Sequence, residues 1–281
     1  MGTTRTPDGN AIAFTDHGGS GPDLLLAHAT GFCGGVWAPI AEQLTDAYRV
    51  VTFDERGHGA SDPAPNGVYA WDGFATDALA VVDALGLQHP FGAGHSCGGA
   101  LLVLAEQRRP GTFRAIWAFE PIIFPFDEPT DTQPTPNGNR LSDGARRRRA
   151  TFASRAEAHA NYTSKPPLMW LDPRCLEGYL ACGLVDEPDG SVRLACAPEN
   201  EARTYEMGGK HSAYSRLKEV GCPVSLVCGE TTDAIGPAVL PLLAQRLQHA
   251  TTDVWAEHGH FGCLVDPART VASIRTAFDG S

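Results

Sequence analysis

The chain has 281 residues, 42% of them hydrophobic and 20% charged, and a formal net charge of −11. That size and balance fit one large α/β domain with an insertion, and they exclude a disordered or fibrous chain. The acidic surplus weighs against nucleic acid and anionic membranes as main partners. No apolar run nears the ~20 residues that span a bilayer, and Met1-Gly2-Thr3-Thr4-Arg5 lacks the apolar core of a signal peptide, so a cytoplasmic location is expected.

In chain order, Thr3 to Thr6 and Ala11 to Asp16 read as a hairpin around Asp8-Gly9. Leu24-Leu25-Leu26-Ala27 is a continuous apolar run suited to a strand buried on both faces, and Val36 to Tyr48 follows with helical spacing of Trp37, Ile40, Ala41 and Leu44. Val50 to Phe53 is the next strand. It runs into the glycine-rich turn Asp54-Glu55-Arg56-Gly57-His58-Gly59, after which Phe74 to Leu87 is helical. His89 to Ala93, a helix closed by Arg108-Arg109-Pro110, and a strand over Phe113 to Phe119 continue the alternation, which predicts a mostly parallel sheet with right-handed crossovers.

The alternation stops from about Pro121 to Val220. A loop rich in Pro, Asp, Thr and Asn at 125–139 gives way to helical segments around 142–160, 173–183 and 198–217. The sheet pattern resumes with a strand at Pro223 to Cys228, a helix from Pro237 to Leu247, a strand at Thr252 to Ala256 and a helix from Pro267 to Phe278. The division expected is therefore a core of 1–121 and 221–281 with a cap at 122–220. Within the cap, Arg146-Arg147-Arg148-Arg149 reads as a solvated helix face before it reads as a phosphate or carrier docking patch.

The chemistry centres on Phe91-Gly92-Ala93-Gly94-His95-Ser96-Cys97-Gly98-Gly99. In Gly94-x-Ser96-x-Gly98 a strand reverses directly into a helix, leaving no room for side chains at the glycines and presenting a serine hydroxyl at the apex. A serine needs a base, and the base needs a carboxylate to fix its tautomer. His260 in His258-Gly259-His260-Phe261-Gly262 is the preferred base, because its loop follows the last strand. His258-x-His260 as a zinc pair lacks a third ligand, and no metal is expected. Two carboxylates follow strands on the same sheet edge: Asp233, the preferred acid, and Glu120, the alternative. The Cys97 amide at the first turn of the elbow helix and the Thr30 amide in His28-Ala29-Thr30-Gly31-Phe32 are the expected oxyanion donors. His28 and His58 read as turn-stabilising. The eight cysteines show no CxxC pair and read as reduced, mostly buried thiols.

The four motifs His28-Ala29-Thr30-Gly31-Phe32, Phe53-Asp54-Glu55-Arg56-Gly57-His58-Gly59-x-Ser61, Gly94-His95-Ser96-Cys97-Gly98-Gly99 and Gly259-His260-Phe261 together resemble the α/β-hydrolase superfamily in order and spacing, over essentially the whole chain. The resemblance implies an α/β-hydrolase fold, with an eight-stranded, mostly parallel sheet flanked by helices and a helical cap after the sixth strand, and it looks like the carboxylesterase branch. Two features depart from the pattern. The usual His-Gly is His28-Ala29, and the usual acid position, three residues beyond a glycine after the seventh strand, is Thr232, with Asp233 one further. The expectation is a cofactor-independent serine hydrolase acting on a small-molecule ester, thioester or lactone, with homo-oligomerisation left open. Phe124 and Trp170, alongside Phe126, Leu168 and Met169, are candidates to line an apolar pocket. Competing readings are C–C bond hydrolysis or cofactor-free oxygen chemistry on the same residues, and a non-catalytic ligand receptor.

Overall fold

In the computed structural model, which describes residues 1–127 and 138–279, the chain opens with a hairpin of β1 (Gly2–Arg5) and β2 (Ala11–Gly18). β3 (Asp23–Ala27), α1 (Ala38–Leu44), β4 (Arg49–Phe53), α2 (Trp71–Leu85), β5 (Phe91–His95), α3 (Cys97–Arg108) and β6 (Ile116–Phe119) then alternate. The inserted segment carries α4 (Gly138–Arg146), β7 (Thr151–Phe152), α5 (Arg155–Thr163), α6 (Pro173–Cys182), β8 (Leu184–Asp186), β9 (Val192–Leu194) and α7 (Pro198–Met207). β10 (Val224–Gly229), α8 (Leu240–Ala244), β11 (Ala250–Trp255), α9 (Gly262–Val265) and α10 (Pro267–Phe278) complete the chain.

Eight strands form one sheet in the order β1-β2-β4-β3-β5-β6-β10-β11. Only the pairings that involve β2 are antiparallel; every pair from β4 to β11 is parallel. The central strands are buried on both faces, so Leu24, Leu25 and Leu26 are all fully enclosed. One face packs against α2 and α3 through residues such as Leu25, Phe74 and Leu101. The other packs against α1 and α10 through Leu24, Trp37 and Ile274, and there Phe152, Tyr162 and Leu176 of the inserted segment join the same core.

Several boundaries differ from the sequence reading. The helix expected over Val36 to Tyr48 begins as a 3₁₀ turn at Gly34–Trp37 and ends at Leu44. The strand expected from Phe113 begins at Ile116, and the helix expected over Pro237 to Leu247 is confined to Leu240–Ala244. The insertion is not purely helical: β7, β9 and β8 form a three-stranded antiparallel sheet. Strands of two or three residues are too short for a period of two to declare itself. Most of the loop expected over 125–139 lies outside the described residues.

The glycine-rich turn after β4 is a structural device. Asp54 accepts from the amides of Gly34 (2.7 Å) and Ala60 (2.8 Å), and Arg56 forks onto Asp77 of α2 at 2.7–3.1 Å. Asp77 is held up at about 6, because burial outweighs its hydrogen bonds with Arg56. His58 Nδ1 donates to Arg56 O (3.1 Å), and the buried ring is held down to about 3, chiefly by desolvation.

His211 fastens the far end of the insertion to its beginning. Its Nε2 donates to Ile122 O (2.9 Å) while the ring stacks on Trp71 at a centroid distance of 5.0 Å. Burial lowers its pKa from the usual 6.5 to about 4. With the folded value below the unfolded one, the unfolded chain binds the extra proton as pH falls from 6.5 towards 4, so stability is withdrawn through that window. Because Asp77 and other buried carboxyls shift the opposite way, the contribution of His211 is read by difference. The destabilisation caused by His211→Gln, measured by urea unfolding, should shrink by about 1 kcal/mol for each pH unit between 6.5 and 4.5. A difference independent of pH would contradict this.

Candidate active site

Ser96 stands between β5 and α3 with φ 58° and ψ −115°, a left-handed conformation at the apex of the turn. Its amide donates to Phe119 O (2.9 Å) and its carbonyl accepts from Ile122 (3.2 Å), tying the turn to the end of β6. The flanking glycines are required by backbone proximity. A Cβ on Gly94 would lie 2.5 Å from the Gly98 carbonyl, and one on Gly98 would lie 2.2 Å from Ala27 O at the end of β3.

The loop between β11 and α9 brings His260 to this serine. His260 Nε2 is 3.1 Å from Ser96 Oγ, and His260 Nδ1 is 2.7 Å from Glu120 Oε2. A proton on Nδ1, donated to the carboxylate, leaves Nε2 to accept from the hydroxyl. His95, fully buried and held neutral by desolvation, donates from Nε2 to the His260 carbonyl (2.8 Å) and so anchors the loop.

The carboxylate that meets the imidazole is Glu120; Asp233, the acid preferred from the sequence, is not brought to it. Glu120 follows β6 with a positive φ of 46°, and its side chain is completely enclosed. Besides His260, it accepts from the Gly229 amide at Oε1 (2.9 Å) and from the Thr232 hydroxyl at Oε2 (2.6 Å). Asp233 is exposed on the cavity mouth, and no hydrogen bond joins it to His260 among the described residues. The physical reason is that Thr232, at the position where a family acid would point inward, turns a hydroxyl towards Glu120 and leaves the next side chain facing solvent. Thr232 is thus a site residue that sequence reasoning missed as a participant.

The turn after β3 lies against the elbow. His28 Nδ1 donates to Ala29 O (2.8 Å), and its Nε2 accepts from the Glu55 amide (3.0 Å), which fixes a neutral tautomer in a ring held down to about 4 by burial. Gly31 takes φ 84°, and Phe32 N donates back to Ala29 O (3.1 Å). Because Gly98 sits against Ala27 and His28, the Cys97 amide opens α3 next to the Thr30 turn. The Cys97 thiol is buried and pushed well above its usual pKa, chiefly by desolvation.

A cavity of about 1010 Å³ opens over Ser96 and His260. Core residues such as Thr30 and Phe261 form its floor, and the inserted segment supplies Arg148, Leu168, Trp170, Tyr179, Glu201 and Tyr205. Phe124 and Trp170 line it as expected, Trp170 from a rim position that leaves it 59% exposed; Phe126 stacks on Phe124 at 6.2 Å, and neither Phe126 nor Met169 is among the lining residues. The arginine run does not present one basic face. Arg146 pairs with Glu199 and Glu206, Arg149 pairs with Glu157, and Arg148 turns inward to pair with Glu201. Sequence reasoning missed the cavity roles of Arg148, Glu201 and Tyr205, since only packing decides which members of a charged run face inward. All eight cysteines are free, seven of them buried. No helix of the described residues is long and apolar enough to cross a membrane.

Comparison with known proteins agrees with this architecture. The chain is 25% identical to 2-(acetamidomethylene)succinate hydrolase of Mesorhizobium japonicum over 261 residues, 93% of this chain and 89% of that one. It is 35% identical to the pimeloyl-[acyl-carrier protein] methyl ester esterase of Chromobacterium violaceum, over 37% of this chain and 38% of that one. A crystal structure of E-2-(acetamidomethylene)succinate hydrolase superposes with a TM-score of 0.84 at 22% identity, covering 99% of each chain, which is a likeness of fold. Residues 17–267 match the model of the alpha/beta hydrolase fold family, so the chain with its serine elbow, eight-stranded sheet and inserted segment belongs to the α/β-hydrolases.

Proposed function

We propose that this α/β-hydrolase is a serine hydrolase that cleaves a carboxylic ester, thioester or lactone of a small molecule through an acyl-enzyme on Ser96, without a cofactor. The observation that carries the reading is the continuous chain of contacts from Ser96 Oγ through His260 to Glu120, at 3.1 and 2.7 Å. Ser96 attacks the acyl carbon while His260 Nε2 takes the hydroxyl proton. His260 then returns that proton to the leaving group, and in a second cycle it activates the water that cleaves the acyl-enzyme. Glu120 holds the Nδ1–H tautomer and offsets the imidazolium charge. The Thr30 and Cys97 amides receive the oxyanion, a contribution of about 3 kcal/mol per donor in comparable sites. The inserted segment acts as the cap, and the apolar wall that includes Phe124, Leu168 and Trp170 takes the hydrocarbon part of the substrate. The hydrolase and esterase activities for which the two relatives are named point the same way.

A fluorophosphonate probe tests the assignment. Stoichiometric labelling of folded protein, mapped by peptide mass spectrometry to Ser96, with turnover of short p-nitrophenyl esters, is the expected result. Absence of labelling, or inactivity on esters combined with cleavage of a 1,3-diketone, would replace ester hydrolysis by C–C bond cleavage or by a binding role.

A further inference from the structure

Part of the polar lining of the cavity stands against the turn that carries Thr30. Arg148 donates from Nη1 to the Glu201 carboxylate and from Nη2 to the hydroxyls of Tyr162 (3.0 Å) and Tyr179 (3.1 Å). The pair presses on Gly31, where a Cβ would lie 2.7 Å from Glu201 Oε1 and 3.3 Å from Arg148 Nη1. Arg148, Tyr179, Glu201 and Tyr205 all line the cavity together with Ser96. This polar stretch is therefore next to the expected oxyanion site, while the wall that includes Phe124, Leu168 and Trp170 is apolar.

Its charge is balanced. Arg148 has no spare fork for a bidentate carboxylate, because one terminal nitrogen is engaged with Glu201 and the other with two tyrosines. Among the described lining residues Arg148 is the one arginine or lysine, against the carboxylates of Glu201, Asp233 and Glu257, in a chain with a net charge of −11. An anionic substrate group would meet a repulsive field at the mouth and Glu201 in this polar stretch. An uncharged group with both donor and acceptor is complementary, since Glu201 accepts while the tyrosine hydroxyls and the guanidinium donate.

Resting on the ester-hydrolase reading above, we infer that Glu201, Arg148, Tyr179 and Tyr205 form a subsite for an uncharged hydroxyl or carboxamide borne a few bonds from the scissile carbonyl, and that the subsite rejects substrates with a free carboxylate there. The preference would separate this chain from its relative named for a succinate.

Three p-nitrophenyl esters of similar length test this: the 3-hydroxybutyrate, the butyrate and the hemisuccinate. On the wild-type chain kcat/KM should fall in that order, with about tenfold or more between the first and the last. Glu201→Gln removes the negative charge and leaves Arg148 unmatched, so it should raise the kcat/KM ratio of hemisuccinate to butyrate about tenfold and lower the ratio of hydroxybutyrate to butyrate. A uniform loss on all three esters would mean that the pair only braces the insertion, and an unchanged order would equally overturn the proposal. Should Glu201→Gln fail to fold, Tyr205→Phe reads the same subsite by erasing the advantage of the hydroxybutyrate over the butyrate; an intact advantage there counts against it. If no ester is turned over and Ser96 resists the phosphonate, it is the ester reading that fails. NMR titration of the wild-type chain with 3-hydroxybutyramide and with succinate then decides the subsite, tighter binding of the amide supporting it and equal or reversed affinity overturning it.

Discussion

Glu120→Gln should lower kcat on a p-nitrophenyl ester by about 10⁴-fold, while Asp233→Asn stays within about threefold of the wild type. The amide is nearly isosteric: its oxygen, at the Oε1 position, keeps the bond from the Gly229 N–H, the Thr232 hydroxyl turns to accept from the NH₂ at the Oε2 position, and the fold should persist. What is lost is the demand for a proton on His260 Nδ1. An NH₂ group facing that nitrogen at 2.7 Å favours the opposite tautomer, with the proton on Nε2, where it blocks acceptance from Ser96. The charge that offsets the developing imidazolium disappears at the same time. Asp233, exposed at the cavity mouth, offers neither service. Stopped assays on both variants, with circular dichroism to verify folding, decide between the two acids. A large loss confined to Asp233→Asn would return the role to Asp233.

That the acid was the one unresolved member of the constellation has a physical explanation. The elbow is written locally, since Gly94 and Gly98 flank Ser96 within five residues and each excludes a side chain for a reason internal to the turn. His260 is nearly as local, following the last strand in the short loop that contains Gly259. The choice between Glu120 and Asp233 is set by how the ends of β6 and β10 align. The pairing of Phe119 with Val227 places Glu120 beside Cys228 and Gly229, within reach of the Gly229 amide. Register and the direction of a side chain leaving a turn with positive φ are tertiary facts that no periodicity reports. The same limit applies to the insertion. Its helices were legible from composition, but its two- and three-residue strands were not. Nor did the arginine run disclose that Arg148 alone turns towards Glu201 and the tyrosines while Arg146 and Arg149 pair on the surface.

The second large effect is expected at Gly98. Alanine there places its methyl carbon 2.2 Å from Ala27 O, 2.5 Å from Ala27 C and 2.6 Å from His28 O. All three are backbone atoms, so no rotamer change relieves the clash, and α3 must move away from the end of β3 by roughly 1 Å to reach ordinary contact. That displacement has two consequences with one origin. Packing between α3 and the sheet is disturbed, which should lower stability by about 3 kcal/mol or more in urea unfolding. The Cys97 amide is also carried away from the Thr30 turn, so on the proposed mechanism the two oxyanion donors no longer converge, and kcat in the folded fraction should fall by about 10²-fold or more. Gly144 in α4 supplies the contrast: a Cβ there meets nothing within 4 Å, so Gly144→Ala should stabilise by about 0.5–1 kcal/mol through helix propensity alone. Should Gly98→Ala retain both stability and kcat within about threefold, the close apposition of elbow and oxyanion turn is not what limits this position. A loss of kcat that persists after correction for the unfolded fraction is the signature that separates a displaced oxyanion donor from a merely weakened core.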